Sequence, residues 1–147
     1  MDMQELMQPK NVCARVSVAS KKQLLQEIAK HMTAVVGCPE QRIFDILLER
    51  ERLGSTGMGN GIAIPHGKLS DIKRIHGMLL TVQGGVDFDA PDDKPVDLIC
   101  ALIAPEDAGG DHLRALAMVS RFLRDPEKCA AMRRAEGNED LWRIICG

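Results

Sequence analysis

Leu98-Ile-Cys-Ala-Leu-Ile-Ala104 is an unbroken run of seven apolar residues, closed by Pro105. It is far too short to cross a bilayer. A strand with no polar alternation has both faces covered, so a central strand is predicted over 96–104, with helices above and below it. The chain is 147 residues long, with 45% apolar and 27% charged side chains, which suits one globular domain.

Patterns on either side supply the other layers. Val12, Ala14, Val16 and Val18 alternate with polar or small residues, as in a half-buried strand. Ser20-Lys-Lys-Gln23 reads as a capping box ahead of Leu24, Leu25, Ile28, Met32, Val35 and Val36 at helical spacing, with Gly37 as the stop. A second helix is expected with Pro39 at its first position, burying Ile43, Phe44, Leu47 and Leu48 and ending at Gly54. Residues 62–64 suggest a very short strand, 77–83 a longer one, and Val86-Asp-Phe88 a brief separate one before a turn-rich loop. Asp111 is expected to cap a helix that shares Leu113, Leu116, Val119, Ser120 and Leu123 on one face. Asp125-Pro126 restarts a helix, and Asn138 is expected to cap the last one. The predicted fold is a single α/β domain over 1–147, its core at about 12–145, with a mixed sheet flanked by helices on both faces.

Charge and composition exclude several classes of function. A net charge of −2 and only three Phe, one Trp and no Tyr argue against phosphate-dominated or base-stacking nucleic-acid binding. The first ten residues include Asp2 and Glu5 and lack an apolar core, unlike a signal peptide, and no segment suits direct membrane insertion. Five scattered cysteines, Cys13, Cys38, Cys100, Cys129 and Cys146, form no Cys-x-x-Cys. They read as buried or half-buried thiols in a reducing cytoplasm.

The chemistry concentrates in residues 54–67, Gly-Ser-Thr-Gly-Met-Gly-Asn-Gly-Ile-Ala-Ile-Pro-His-Gly, where five glycines precede and follow a short apolar run that delivers His66. A glycine-rich backbone can turn N–H groups toward an anion, and proline stiffens the approach to the imidazole. Arg50 closes the preceding helix, sixteen residues before His66, where a planar guanidinium can hold two phosphoryl oxygens. It equally suits a solvated surface arginine paired with Glu49 or Glu51. His112 follows Asp111 at a predicted helix start, where dipole and free N–H groups favour an anion, although a merely polar helix-start residue fits the same spacing. Ser55, Thr56 and Asn60 can donate to phosphate oxygens or bond their own loop backbone. His31 and His76 are expected to face solvent.

Other motifs do not match. A nucleotide P-loop would need Gly-Lys-Ser/Thr, but Leu69 follows Gly67-Lys68 and Ile62 stands where the earlier glycine belongs. Gly57-x-Gly59-x-Gly61 follows a helix, not the first strand of a dinucleotide fold. No cluster with zinc-hydrolase spacing accompanies His66 and His112.

Gly59 to Leu69, Gly-Asn-Gly-Ile-Ala-Ile-Pro-His-Gly-Lys-Leu, resembles the phosphorylation-site signature of the fructose/mannitol-type enzyme IIA (EIIA) domains of the bacterial sugar phosphotransferase system. Its nitrogen-regulatory branch is the most similar, and the resemblance covers about residues 12–145. It implies that His66 accepts a phosphoryl group at Nε2 from the phosphocarrier HPr, with neither metal nor organic cofactor. It also implies that Arg50 clamps the group, that His112 supports it, and that the hydroxyl of Thr56 lies close to the site. Expected outputs are regulatory protein targets or, in a sugar-specific member, a EIIB partner. A binding module that uses His66 only for recognition is the remaining alternative.

Overall fold

The computed structural model describes residues 2–147; Met1, part of the expected domain, lies outside the described residues. A short helix α1 (Met3–Leu6) and a 3-10 turn (Pro9–Asn11) lead into β1 (Val12–Val16), followed by α2 (Lys21–Val36) and α3 (Glu40–Arg52). Four strands come next, β2 (Gly57–Gly59), β3 (Ile62–Ala63), β4 (His66–Leu69) and β5 (His76–Val86), and then β6 (Val96–Pro105). Helices α4 (Gly110–Phe122), α5 (Pro126–Arg134) and α6 (Asn138–Cys146) complete the chain.

The sheet runs β1-β5-β6-β3-β2, with β4 also paired to β6. It is mixed: β1 lies parallel to β5, β3 and β4 parallel to β6, while β5–β6 and β2–β3 are antiparallel. β6 is the central strand, and successive residues point to opposite faces. Ile99, Ala101 and Ile103 join the core beneath α2 and α3, whereas Leu98, Cys100 and Leu102 join the one beneath α4, α5 and α6. The continuous apolar run therefore reflects two cores sharing one strand. Met3, Leu6 and Met7 are buried in the second core, so apolar packing begins ahead of Val12.

Ser20 caps α2 as expected, its hydroxyl accepting from Gln23 N at 3.1 Å, while the Gln23 side chain accepts from Ala19 N at 2.8 Å. Several expectations shift. Pro39 is the cap of α3, with ψ 140°, and Glu40 opens the helix. Gly109 occupies the cap of α4. Asp111 lies inside the first turn and pairs with Arg114 instead. Leu113 does not join the buried face of α4; it is 69% exposed. Asn138 begins α6 beyond its cap Gly137, and its side-chain oxygen accepts from Ala14 N at 2.7 Å, tying the helix to β1. The separate strand around Val86 merges into β5, whose pairing is interrupted between Thr81 and Val86 by Gly84 and Gly85, both at positive φ. Cys146 is exposed, while Cys38, Cys100 and Cys129 are buried; all five thiols are free.

Candidate functional site

β3 and β4 are one strand interrupted at Pro65. Ile62 and Ala63 pair with Leu98 and Ile99, and His66 resumes the same register opposite Leu102. Proline has no N–H for the ladder, yet its carbonyl still accepts from Leu102 N at 3.0 Å. The interruption frees Ile64, whose carbonyl accepts the Nδ1–H of His66 at 2.8 Å. A carbonyl can only accept, so in the neutral ring Nε2 carries the lone pair. His66 is half-buried, and its neighbour Gly67 packs directly against Ile46 of α3.

His112, in the first turn of α4, brings its ring to 5.4 Å from that of His66, tilted by 51°. It is only 6% exposed, and its Nδ1 is buried without a hydrogen-bond partner. Burial lowers the pKa of both rings below the ordinary 6.5. For His66 the Ile64 carbonyl and Glu51 oppose that shift while Arg50 adds to it. For His112 the positive character of His66 and Lys68 adds to it. Both rings are thus neutral near pH 7, one with a nucleophilic lone pair and the other with an unspent polar atom.

Arg50 reaches the same region electrostatically and donates from Nη1 to Gly54 O at 2.9 Å, fastening the start of the glycine loop. Among the described residues it forms no ion pair with Glu49 or Glu51. Glu51 turns inward instead: its side chain is 2% exposed and lies 3.0 Å from Lys21 Nζ. It accepts from Thr56 N at 3.0 Å, and also from the Thr56 hydroxyl.

Ser55 and Thr56 spend their side-chain hydrogen bonds elsewhere, while Asn60 uses its backbone to shape a turn. Thr56 is 7% exposed and commits its hydroxyl proton to Glu51, so it is no free donor to a phosphoryl oxygen. Ser55 Oγ donates to Phe88 O at 2.7 Å and accepts from Gly57 N at 3.0 Å, as loop-internal bonding would have it. Asn60 and Gly61, at φ 58° and 78°, form the two-residue turn of the β2–β3 hairpin, a conformation that requires positive φ at both positions. The Asn60 carbonyl accepts from Arg133 Nη2 at 2.7 Å, which ties the turn to α5.

Glu51 and Lys68 were not singled out in the sequence. Alternation along β4 places Lys68 on the same side as His66, which spacing alone could have shown; Glu51 carried no pattern that separated it from a surface carboxylate. His31 and His76 are half-buried; His31 keeps 34% of its side chain exposed and pairs with Glu27 at 3.1 Å beside Cys13. No group of three or more His, Cys, Asp or Glu among the described residues is placed to hold a metal ion.

The family model described as "Phosphoenolpyruvate-dependent sugar phosphotransferase system, EIIA 2" matches residues 5–146. A nitrogen regulatory protein of Bradyrhizobium diazoefficiens is 39% identical over 145 residues, covering 99% of this chain and 95% of its own length. That of Escherichia coli K12 is 42% identical over 133 residues, covering 90% of this chain and 82% of its own. The crystal structure of the nitrogen regulatory protein IIA-Ntr from Neisseria meningitidis superposes with a TM-score of 0.91 at 32% identity, covering 97% and 98% of the two chains. IIA mannitol from Escherichia coli shares the fold, at TM-score 0.79 and 18% identity. With nearly the whole chain matched by the family model, by relatives and by a solved IIA-Ntr, this protein belongs to the EIIA type 2 family of the phosphotransferase system, among its nitrogen-regulatory members.

Proposed function

We propose that the protein is a phosphocarrier that takes a phosphoryl group from HPr phosphohistidine onto Nε2 of His66. The observation that carries this reading is the Nδ1–H···O=C bond to Ile64, which leaves the Nε2 lone pair as the available nucleophile. In an in-line displacement the N–P bond at His66 Nε2 forms as the donor's N–P bond breaks, and the donor imidazole leaves with its electron pair. Such a transfer asks the protein mainly for position and for positive or donating groups around three equatorial oxygens. Arg50 and His112 supply them, and Lys68 adds positive potential on the same side. No cofactor enters this scheme.

Leu53 and Leu113, 81% and 69% exposed, are chain neighbours of Gly54 and His112 and offer an apolar rim for a docking carrier. Phosphorylation adds roughly −1.5 to −2 charges there, which changes the partner surfaces that fit. The output is regulatory, on protein targets in the cytoplasm; no helix among the described residues is long and apolar enough to cross a membrane. The second reading is a sugar-specific role with an onward EIIB acceptor. It draws on the fold shared with enzyme IIAMTL of Escherichia coli, whose structure was solved in complex with phosphorylated enzyme IIBMTL.

Incubation with phosphorylated HPr followed by intact-mass measurement tests the assignment. Wild type, His31→Ala and His76→Ala gain one acid-labile, alkali-stable phosphoryl group, and His66→Ala gains none. A phosphorylated His66→Ala protein overturns it. Loss of the label on adding a EIIB domain favours the sugar-specific reading.

A further inference from the structure

A continuous set of hydrogen bonds leads from α2 to the ring of His66. Lys21 Nζ sits 3.0 Å from Glu51 Oε1. The same carboxylate oxygen accepts from Thr56 N at 3.0 Å, and the other accepts from the Thr56 hydroxyl. Thr56 O accepts from Ile64 N at 3.2 Å, and Ile64 O accepts from His66 Nδ1 at 2.8 Å. Each residue in this series is held at one atom by its predecessor and holds the next by another.

A carboxylate this buried is costly unless its oxygens are fully used. Here three donors converge on it: one ammonium, one amide and one hydroxyl. Lys21 is itself steadied by Phe88, with its ammonium 4.4 Å from the ring centroid and 3.4 Å from the carbonyl oxygen. The neighbouring Arg50 grips the loop two residues earlier, at the Gly54 carbonyl. Consecutive residues at the end of α3 thus seize both ends of the segment that carries Thr56. With Thr56 held at its amide, carbonyl and hydroxyl, Ile64 docks in one place, and its carbonyl selects the ring orientation and tautomer of His66.

We propose that Glu51 is a positioning residue for His66, acting through Thr56 and Ile64 with Lys21 as its counter-ion. This rests on His66 being the phosphoryl acceptor, but its primary readout does not require any phosphoryl transfer.

The test uses the full chain as wild type, Glu51→Gln, Thr56→Val and Lys21→Met, each checked for fold by circular dichroism. Nitrogen-15 imidazole spectra are recorded at a pH above 6.5, where burial keeps the His66 ring neutral. Wild-type His66 should show the Nδ1–H tautomer. The variants should shift it toward the Nε2–H form that free side chains prefer, with His31 and His76 unmoved. Single-turnover transfer from phosphorylated HPr at saturating donor should slow about tenfold or more in Glu51→Gln, with the dependence on donor concentration unchanged. An ion pair with only a structural role would lower the melting temperature and leave the His66 tautomer alone. That result, in folded variants, overturns the proposal. If Glu51→Gln fails to fold, Thr56→Val, which removes only the hydroxyl link, decides by the same spectrum. A tautomer shift in a protein that HPr never phosphorylates supports the positioning role and sinks the acceptor reading instead.

Discussion

In the proposed transfer neutral His66 is the nucleophile, and burial favours the neutral ring, so the pH dependence of transfer has a definite sign. Both His66 and His112 titrate below 6.5 in the folded chain. Phosphoryl acceptance should therefore stay level as pH falls through 6.5 and decline only at lower pH, read from single-turnover rates with a donor kept at constant phosphorylation. A decline centred at 6.5 or above would show that burial does not govern the ring. The same displacement acts on stability: beneath 6.5 the unfolded chain binds more protons, so the two rings favour folding fully above 6.5 and progressively less as pH falls. Around His66, geometry and charge separate experimentally. His112→Ala removes one prepositioned donor and should slow transfer about 100-fold while leaving His66 able to react. Arg50→Lys keeps the charge but loses the planar fork and should also slow transfer substantially, whereas Arg50→Gln loses both. Equal rates for Arg50→Gln and wild type would return Arg50 to loop fastening through Gly54 alone.

The strand that carries His66 depends on how closely β4 can approach α3. A Cβ on Gly67 would fall inside the van der Waals envelope of Ile46 Cγ2, and Gly67 lies at ordinary strand geometry. Gly67→Ala should therefore cost about 1–3 kcal/mol through overpacking and push β4 outward from the helix. Equilibrium urea unfolding measures the loss, and an unchanged midpoint would show that Ile46 moves aside freely. The glycine next to His66 is thus explained by packing, which no local pattern in the sequence discloses. Other elements were legible because their cause is local: the Ser20 cap, the Gly37 stop and the two-faced run in β6 each follow from neighbours in the chain. Expectations went astray where a distant partner decided. Asn138 gave up capping to bond Ala14 across 124 positions of sequence. Thr56 and Glu51 satisfy each other, so the hydroxyl that the family resemblance placed near the phosphoryl group is consumed in holding the loop. His66, His112 and Arg50 could be singled out as candidates because the motif and the helix ends mark them, and the fold brings the two rings to 5.4 Å. Glu51 was missed because burial, and not residue type, makes it different from Glu49.

The two cores lie on opposite faces of one sheet and share β6, so neither can open without stripping the central strand of half its cover. Leu98, Cys100 and Leu102 belong to one core while Ile99, Ala101 and Ile103 belong to the other, all fully buried. A chain of this size built around one shared strand should unfold in a single cooperative step. Trp142 packs against the face covered by α4, α5 and α6, and it is the chain's one tryptophan. Its fluorescence reports that face, whereas far-UV circular dichroism reports the helices of both faces together. Cys100 sits at the centre, with its thiol pushed up to about 12 by burial, so it stays inert to alkylation until the sheet opens. Urea midpoints from Trp142 fluorescence, circular dichroism and Cys100 labelling should coincide. A Trp142 transition that precedes the other two would show that the α4–α6 layer detaches on its own and that the shared strand does not couple the faces. Coincidence would mean that His112 on one layer and Arg50 on the other are held together by the whole fold, as a site assembled from both sides of the sheet requires.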